Sequence, residues 1–150
     1  MLARLAKLLA ALWLGLVLTL GAVAAPMAFK VLERSLAGQF AGACFRLEAQ
    51  LSLGAAMLLF LLHRKIAQQH AEAGQGSRVS TELLLVLGAL FCTVLGHFAL
   101  QPMMEAARAG DGMYSFGTLH GASSLLFLLK GVMLLVLVWR GTSGSPRRGG

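Results

Sequence analysis

The sequence predicts an all-α membrane protein in which four transmembrane helices form one bundle. Hydrophobic residues make up 57% of the 150-residue chain and charged residues only 13%, and the mean hydropathy is +0.75. A soluble domain of this length needs a more polar surface. The third observation is that the chain contains four apolar runs, each near the roughly 20 residues that cross a bilayer core of about 30 Å.

We expect a single membrane domain, residues 1–140, followed by a disordered cytoplasmic tail, residues 141–150. The helices are predicted at about residues 8–27, 38–62, 81–101 and 117–139. Gly76 and Ser77 belong to a linker between the second and third helices, and Pro102 ends the third helix or opens a short interfacial one.

The first apolar run, Leu8–Ala25, has two interpretations. Its basic start and the small residues Ala22–Ala25 are typical of a cleaved secretory signal. Its length approaches a full span, and without it the other helices lose a packing partner. We therefore favour a retained first helix.

The distribution of Lys and Arg predicts the orientation, because cytoplasmic loops carry an excess of both. With a cytoplasmic N-terminus, that side holds Arg4, Lys7, Arg64, Lys65, Arg78, Arg140, Arg147 and Arg148, and the opposite side holds Lys30, Arg34 and Arg108. Both termini are thus expected in the cytoplasm, and the protein in the inner membrane of a bacterium. The net charge of +7 is explained by topology and does not indicate a nucleic-acid partner.

Four ionisable residues are candidates for a polar cluster inside the bundle: Glu48, His97, His120 and Lys130. Lys130 lies near the middle of the fourth helix, on the same face as His120, and Glu48 shares its face with Ser52. An ionisable residue within the membrane is by default a functional candidate. The cluster is either a ligand or proton site, or a Glu48–Lys130 ion pair that fixes helix packing, with the histidines hydrogen-bonded at the interface.

His97 and His120 also allow a metal or haem interpretation, because histidines on neighbouring helices can ligate iron or copper. Met103, Met104 and Met113 nearby would suit copper. No spacing in the sequence is diagnostic, so we predict no cofactor and keep haem or copper as the alternative. Cys44 and Cys92 lie within apolar runs and are expected to be small buried side chains.

Two pairs of glycines, each spaced by four residues, open the second and fourth helices. The pairs are Gly38 with Gly42 and Gly117 with Gly121. Small residues at this spacing let membrane helices approach closely. We expect the second and fourth helices to pack against each other there.

The chain resembles the four-helix membrane family of unknown function that includes transmembrane protein 205. The similarity comprises Pro26 and Phe29, Leu36-Ala37-Gly38 with Gly42 and Phe45, Pro102, and Phe116-Gly117-x-x-His120-Gly121 followed by Ser123 or Ser124. The resemblance implies a retained first helix and a four-helix bundle, and it implies no reaction. Phe127 stands where that family leads us to expect a polar residue such as asparagine, and Glu48 and Lys130 are not part of its pattern. A more distant similarity to small four-helix proteins of copper resistance and haem-pathway oxidation keeps the redox alternative open.

These observations predict a non-enzymatic integral membrane protein, a small binding, assembly or transport-accessory protein. The alternatives are a haem- or copper-handling redox protein using His97 and His120, and a structural subunit of a membrane complex. Its expected partners are the lipid bilayer and a membrane protein or a second copy of itself. No hydrolase triad, nucleotide loop or zinc-protease motif occurs in the sequence.

Overall fold

A computed structural model of the chain describes residues 1–74 and 79–143, and all the regular structure in these ranges is helical. The α-helices are α1 (Leu2–Leu18), α2 (Ala25–Val31), α3 (Arg34–Glu72), α4 (Thr81–Val94), α5 (Gln101–Ala109) and α6 (Phe116–Ser143). Four helical stretches are long and apolar enough to cross a membrane, namely Leu2–Val31, Arg34–Glu72, Thr81–Ala109 and Phe116–Gly141. The predicted fold class, an all-α protein with four candidate membrane spans, is confirmed.

The helices are longer than the apolar runs from which they are predicted. At 1.5 Å per residue, the 39 residues of α3 extend about 58 Å, roughly twice the bilayer core. The helix α6 includes Gly141–Ser143, so the expected disorder does not begin at residue 141. The rest of the predicted tail, and the linker residues Gly76 and Ser77, lie outside the described residues.

Two π-helical segments carry the chain past its transmembrane prolines. Thr19–Ala24 precedes Pro26, and Leu95–Leu100 precedes Pro102. A proline lacks the N–H that would bond the carbonyl four residues earlier, and its ring crowds that carbonyl. A π-helical turn pairs more distant residues and accommodates the missing bond. The third span therefore continues into α5 instead of ending at Pro102, and Gly110 ends it in a left-handed conformation with φ of 88°.

The four spans form a ring in which α3 and α6 lie on one diagonal. Both α1 and α4 pack against α3 and also against α6, whereas α3 and α6 make little or no backbone contact within the described ranges. The chain enters and leaves at the same end of the bundle, because a Cβ on Gly141 would lie 3.3 Å from Cγ of Lys7. The core cluster consists of Ala6, Ala10, Trp13, Leu14, Val17, Ala56, Leu59, Val86, Ala89, Leu134 and Leu137.

The diagonal arrangement contradicts the close glycine contact that we expected between the second and fourth spans. A Cβ on Gly38 or Gly121 would meet no atom within 4 Å, and one on Gly42 would meet only Arg46 of its own helix. Gly117 would meet only Ser115, at 4.0 Å. The reason is that α1 and α4 lie between α3 and α6, so the facing surfaces of these two helices never come together as backbones.

Candidate functional site

An ion pair between Glu48 and Lys130 crosses the centre of the bundle from α3 to α6. The Lys130 Nζ atom lies 2.8 Å from Oε1 and 2.9 Å from Oε2 of Glu48. Each side chain is only 3% exposed. The long lysine side chain spans the gap between α3 and α6, whose backbones do not contact each other closely. The two charges are thus removed from lipid and water and neutralise each other in the interior.

Ser52 and Trp13 extend this pair into a network that joins three of the four spans. The Ser52 hydroxyl, one turn beyond Glu48 on α3, donates a hydrogen bond to Glu48 Oε1. The indole Nε1 of Trp13, on α1, donates to Ser52 Oγ at 2.7 Å. Among the described residues, no buried side-chain nitrogen or oxygen lacks a partner. The network is defined as Trp13, Glu48, Ser52 and Lys130. It is closed, in the sense that its buried polar atoms all have hydrogen-bond partners.

Phe127 covers the ammonium group of Lys130 from one turn earlier on α6. The Lys130 Nζ atom lies 4.8 Å from the centroid of the Phe127 ring, within the range of a cation–π interaction. Phe45 of α3 meets the same ring edge-to-face, with centroids 5.2 Å apart. Gly21 makes room for it, because a Cβ at that position would lie 2.6 Å from Cε1 of Phe127. The aromatic residue that departs from the expected family pattern thus has a structural role beside the ion pair.

The third span, which contains α4, contributes no hydrogen bond to the network among the described residues. Thr93 of α4 is buried, but its hydroxyl donates to the carbonyl of Ala89 in its own helix at 3.0 Å. Cys92 is 4% exposed. A Cβ on Gly88 would lie 2.8 Å from Sδ of Met133, so these two residues face each other across the antiparallel helices α4 and α6. Four residues further on, Cys92 lies near the level of Lys130.

The structure brings together Glu48 and Lys130 and leaves His97 and His120 outside the network. The register of Gly88 with Met133 places His97 level with Ser124, six residues or about 9 Å from Lys130 along α6. Its ring contacts Phe98, with centroids 4.9 Å apart. His97 is therefore not part of the expected four-residue cluster, because its position along the third span is too far from the ion pair.

His120 lies further still from the ion pair. It precedes Lys130 by ten residues, about 15 Å of helix. Its ring is exposed and stacks on Phe116, with centroids 5.7 Å apart, and the Arg108 guanidinium lies 4.5 Å from the centre of the Phe116 ring. In the described part of the chain, no group of three or more His, Cys, Asp or Glu side chains is placed to hold a metal ion. Cys44 and Cys92 are free thiols.

Sequence reasoning placed Ser52 on the face of Glu48 but missed Trp13. A signal was present, since a buried indole N–H needs an acceptor and Trp13 lies in the middle of the first apolar run. What the sequence could not supply is the pairing of α1 with α3, which brings Trp13 to the level of Ser52.

A family model, DUF4149, a domain of unknown function, matches residues 8–112. The chain belongs to this family. No curated protein and no solved structure matches it. The DUF4149 match includes Trp13, Glu48 and Ser52 and ends before α6, so Lys130 lies outside it. The similarity to the family of transmembrane protein 205 stays a prediction.

Proposed function

We propose that this DUF4149 protein is a non-enzymatic accessory or assembly protein of a membrane, acting through its outer surfaces rather than through its interior. The observation that carries the proposal is the closed network. Both oxygens of Glu48 and the hydroxyl of Ser52 bond to other members of the network. A substrate or a proton path would need a free donor or acceptor, or a route to water.

The surroundings of the network support the same proposal. On the α4 side the network faces apolar side chains and Thr93, whose hydroxyl bonds within its own helix. On the α6 side Phe127 covers it. A buried ion pair is by itself weak evidence for stability, but it can favour one orientation of the helices over the others. We interpret Glu48 and Lys130 as the pair that fixes how α3 and α6 face the centre of the bundle.

The accessibility of Cys92 tests this proposal, because its thiol lies near the level of Lys130. In membranes carrying a Cys44→Ala variant, we expect a charged maleimide to leave Cys92 unlabelled until the protein is denatured in detergent. The matched control is Thr81→Cys in a background without both native cysteines, since Thr81 is exposed at the start of α4. Labelling of Cys92 at a rate close to that control would reveal a water-filled route and would overturn the proposal in favour of a transport or proton site.

We further propose that the protein resides in a bacterial inner membrane with both ends in the cytoplasm. The support is the basic-residue distribution together with the entry and exit of the chain at one end of the bundle. A fluorescent protein fused after residue 150 should fluoresce, and alkaline phosphatase fused there should be inactive. Alkaline phosphatase inserted at Gly112 should be active. The reverse pattern of phosphatase activity would contradict this orientation.

Retention of the first span belongs to the same proposal. Trp13 bonds to the network and Val17 is 1% exposed, so cleavage after Ala25 would remove a wall of the core. The intact mass of the purified protein should include residues 1–25. A mass lacking them would identify the segment as a signal peptide instead.

A further inference from the structure

A groove between α1 and α3 opens at the end of the bundle where the chain begins. It has a volume of about 680 Å³. Its walls are leucines, from Leu2 to Leu12 on α1 and from Leu58 to Leu62 on α3, and its end is formed by Arg64, Lys65 and Gln68. The polar rim belongs to α3 alone, where the leucines lie deeper in the bundle and the polar residues lie toward its end, whereas every lining residue of α1 is a leucine.

The groove runs along both helices, and its deeper part is apolar on both sides. The lining residues cover ten residue steps on each helix, about 15 Å of rise. On α3 the apolar part, Leu58–Leu62, covers four of these steps, about 6 Å. Leu62 is followed by His63, Arg64 and Lys65, so the apolar wall of α3 ends where the charged rim begins. An acyl chain along the leucines would therefore place its headgroup at Arg64 and Lys65.

The charge of the rim selects among headgroups. Arg64 and Lys65 are exposed, and neither forms an ion pair with another described residue. The nearest candidate acids are engaged or distant: Glu82 pairs with Arg140 at 3.0 Å, and Glu72 lies seven residues beyond Lys65, about 10 Å along α3. Two adjacent unpaired cations at a membrane surface attract an anionic lipid.

We propose that this groove is a binding site for one phospholipid with an anionic headgroup, held by Arg64 and Lys65. The acyl chain lies against the leucines of α1 and α3, and Gln68, one turn beyond Arg64, donates to the headgroup. The site is independent of the Glu48–Lys130 network and of the function proposed above. A zwitterionic lipid would gain the same apolar contact but no net attraction to the two cations.

Native mass spectrometry of the full-length, delipidated protein tests the site. Phosphatidylglycerol and phosphatidylcholine with identical acyl chains are titrated separately, and the affinity for the first bound lipid is compared. We expect phosphatidylglycerol to bind more tightly. The double variant R64Q/K65Q should lose about 30-fold in affinity for it, the effect of two basic residues at a membrane surface.

Two further variants keep the test specific. K30Q/R34Q removes two exposed cations at the other end of the bundle, which do not line this groove, and it should bind phosphatidylglycerol like the wild type. Leu61→Trp fills the groove without changing its charge and should weaken binding of both lipids. Equal affinity of the wild type for the two lipids, an unchanged R64Q/K65Q, or the same loss in K30Q/R34Q would overturn the proposal, since each indicates unselective lipid contact or a general effect of charge.

Discussion

Replacing Lys130 by methionine is the most direct perturbation of the network, because methionine keeps most of the side-chain length and removes the charge. At an effective dielectric constant of about 20, two unit charges at the observed 2.8 Å attract each other by about 6 kcal/mol. Desolvation of both groups offsets much of this attraction. The variant, however, leaves the Glu48 carboxylate buried without its cation, and such a loss costs about 3–5 kcal/mol.

The double variant Glu48→Gln with Lys130→Met should be less destabilised than the sum of the two single variants. It leaves no buried charge uncompensated, so the double-mutant cycle isolates a coupling of several kcal/mol, on the order of the single-variant loss. The measurement is the free energy of unfolding of purified protein in mild detergent, titrated with sodium dodecyl sulfate and followed by far-ultraviolet circular dichroism.

The chain offers its own matched control, the Arg140–Glu82 pair at one end of the bundle. Its side chains are 47% and 28% exposed, and the corresponding changes there should cost less than about 1 kcal/mol. If Lys130→Met costs no more than Arg140→Gln, or if the double variant costs the full sum of the singles, the ion pair does not have the structural role that we assign to it.

Two further predictions concern the surroundings of the pair and use the same unfolding measurement. Ser52→Ala should cost about 1–3 kcal/mol because it leaves the Trp13 N–H unpaired, whereas Trp13→Phe, which removes the donor itself, should lose about 1 kcal/mol from the hydrogen bond; equal stability of Ser52→Ala and wild type would contradict the network. Gly21→Ala should cost about 1–3 kcal/mol through displacement of Phe127, while Gly121→Ala, which meets open space, should stay within about 0.5 kcal/mol. If Gly121→Ala lost as much stability as Gly21→Ala, the interpretation that Phe127 packs closely against Gly21 would be wrong.

The number of spans was predictable because hydrophobicity and length are properties of the local sequence. The helix ends were less so. The polar end of α3 continues to Glu72 as helix beyond the apolar run, and the prolines at 26 and 102 are absorbed by π-helical turns. Neither outcome is fixed by hydropathy, which reports where lipid ends but not where backbone hydrogen bonding ends.

Some candidate site residues can be identified from the local sequence, whereas others depend on how the helices pack. Glu48 and Lys130 could be singled out alone, since a charge in an apolar run must have a partner. The histidines were assigned by approximate depth, and an error of six residues, about 9 Å, moved His97 out of the network. The glycine pairs failed for a different reason: their spacing permits close packing, but only the ring order of the helices decides which neighbour is present.

The ring order also explains why a charge pair is useful at the centre of this bundle. In lipid, an apolar face has little preference for another helix over acyl chains, so leucine-rich surfaces alone do not fix the rotation of each span. Turning α6 by one residue position, about 100°, would take Lys130 from Glu48 toward lipid, at a cost of about 3 kcal/mol for a charge at the helix centre. The same rotation would remove Phe127 from the space that Gly21 leaves for it. The ion pair and the Gly21–Phe127 contact thus favour the same orientation of α6, and an apolar replacement of both charges would leave only the second of them to specify it.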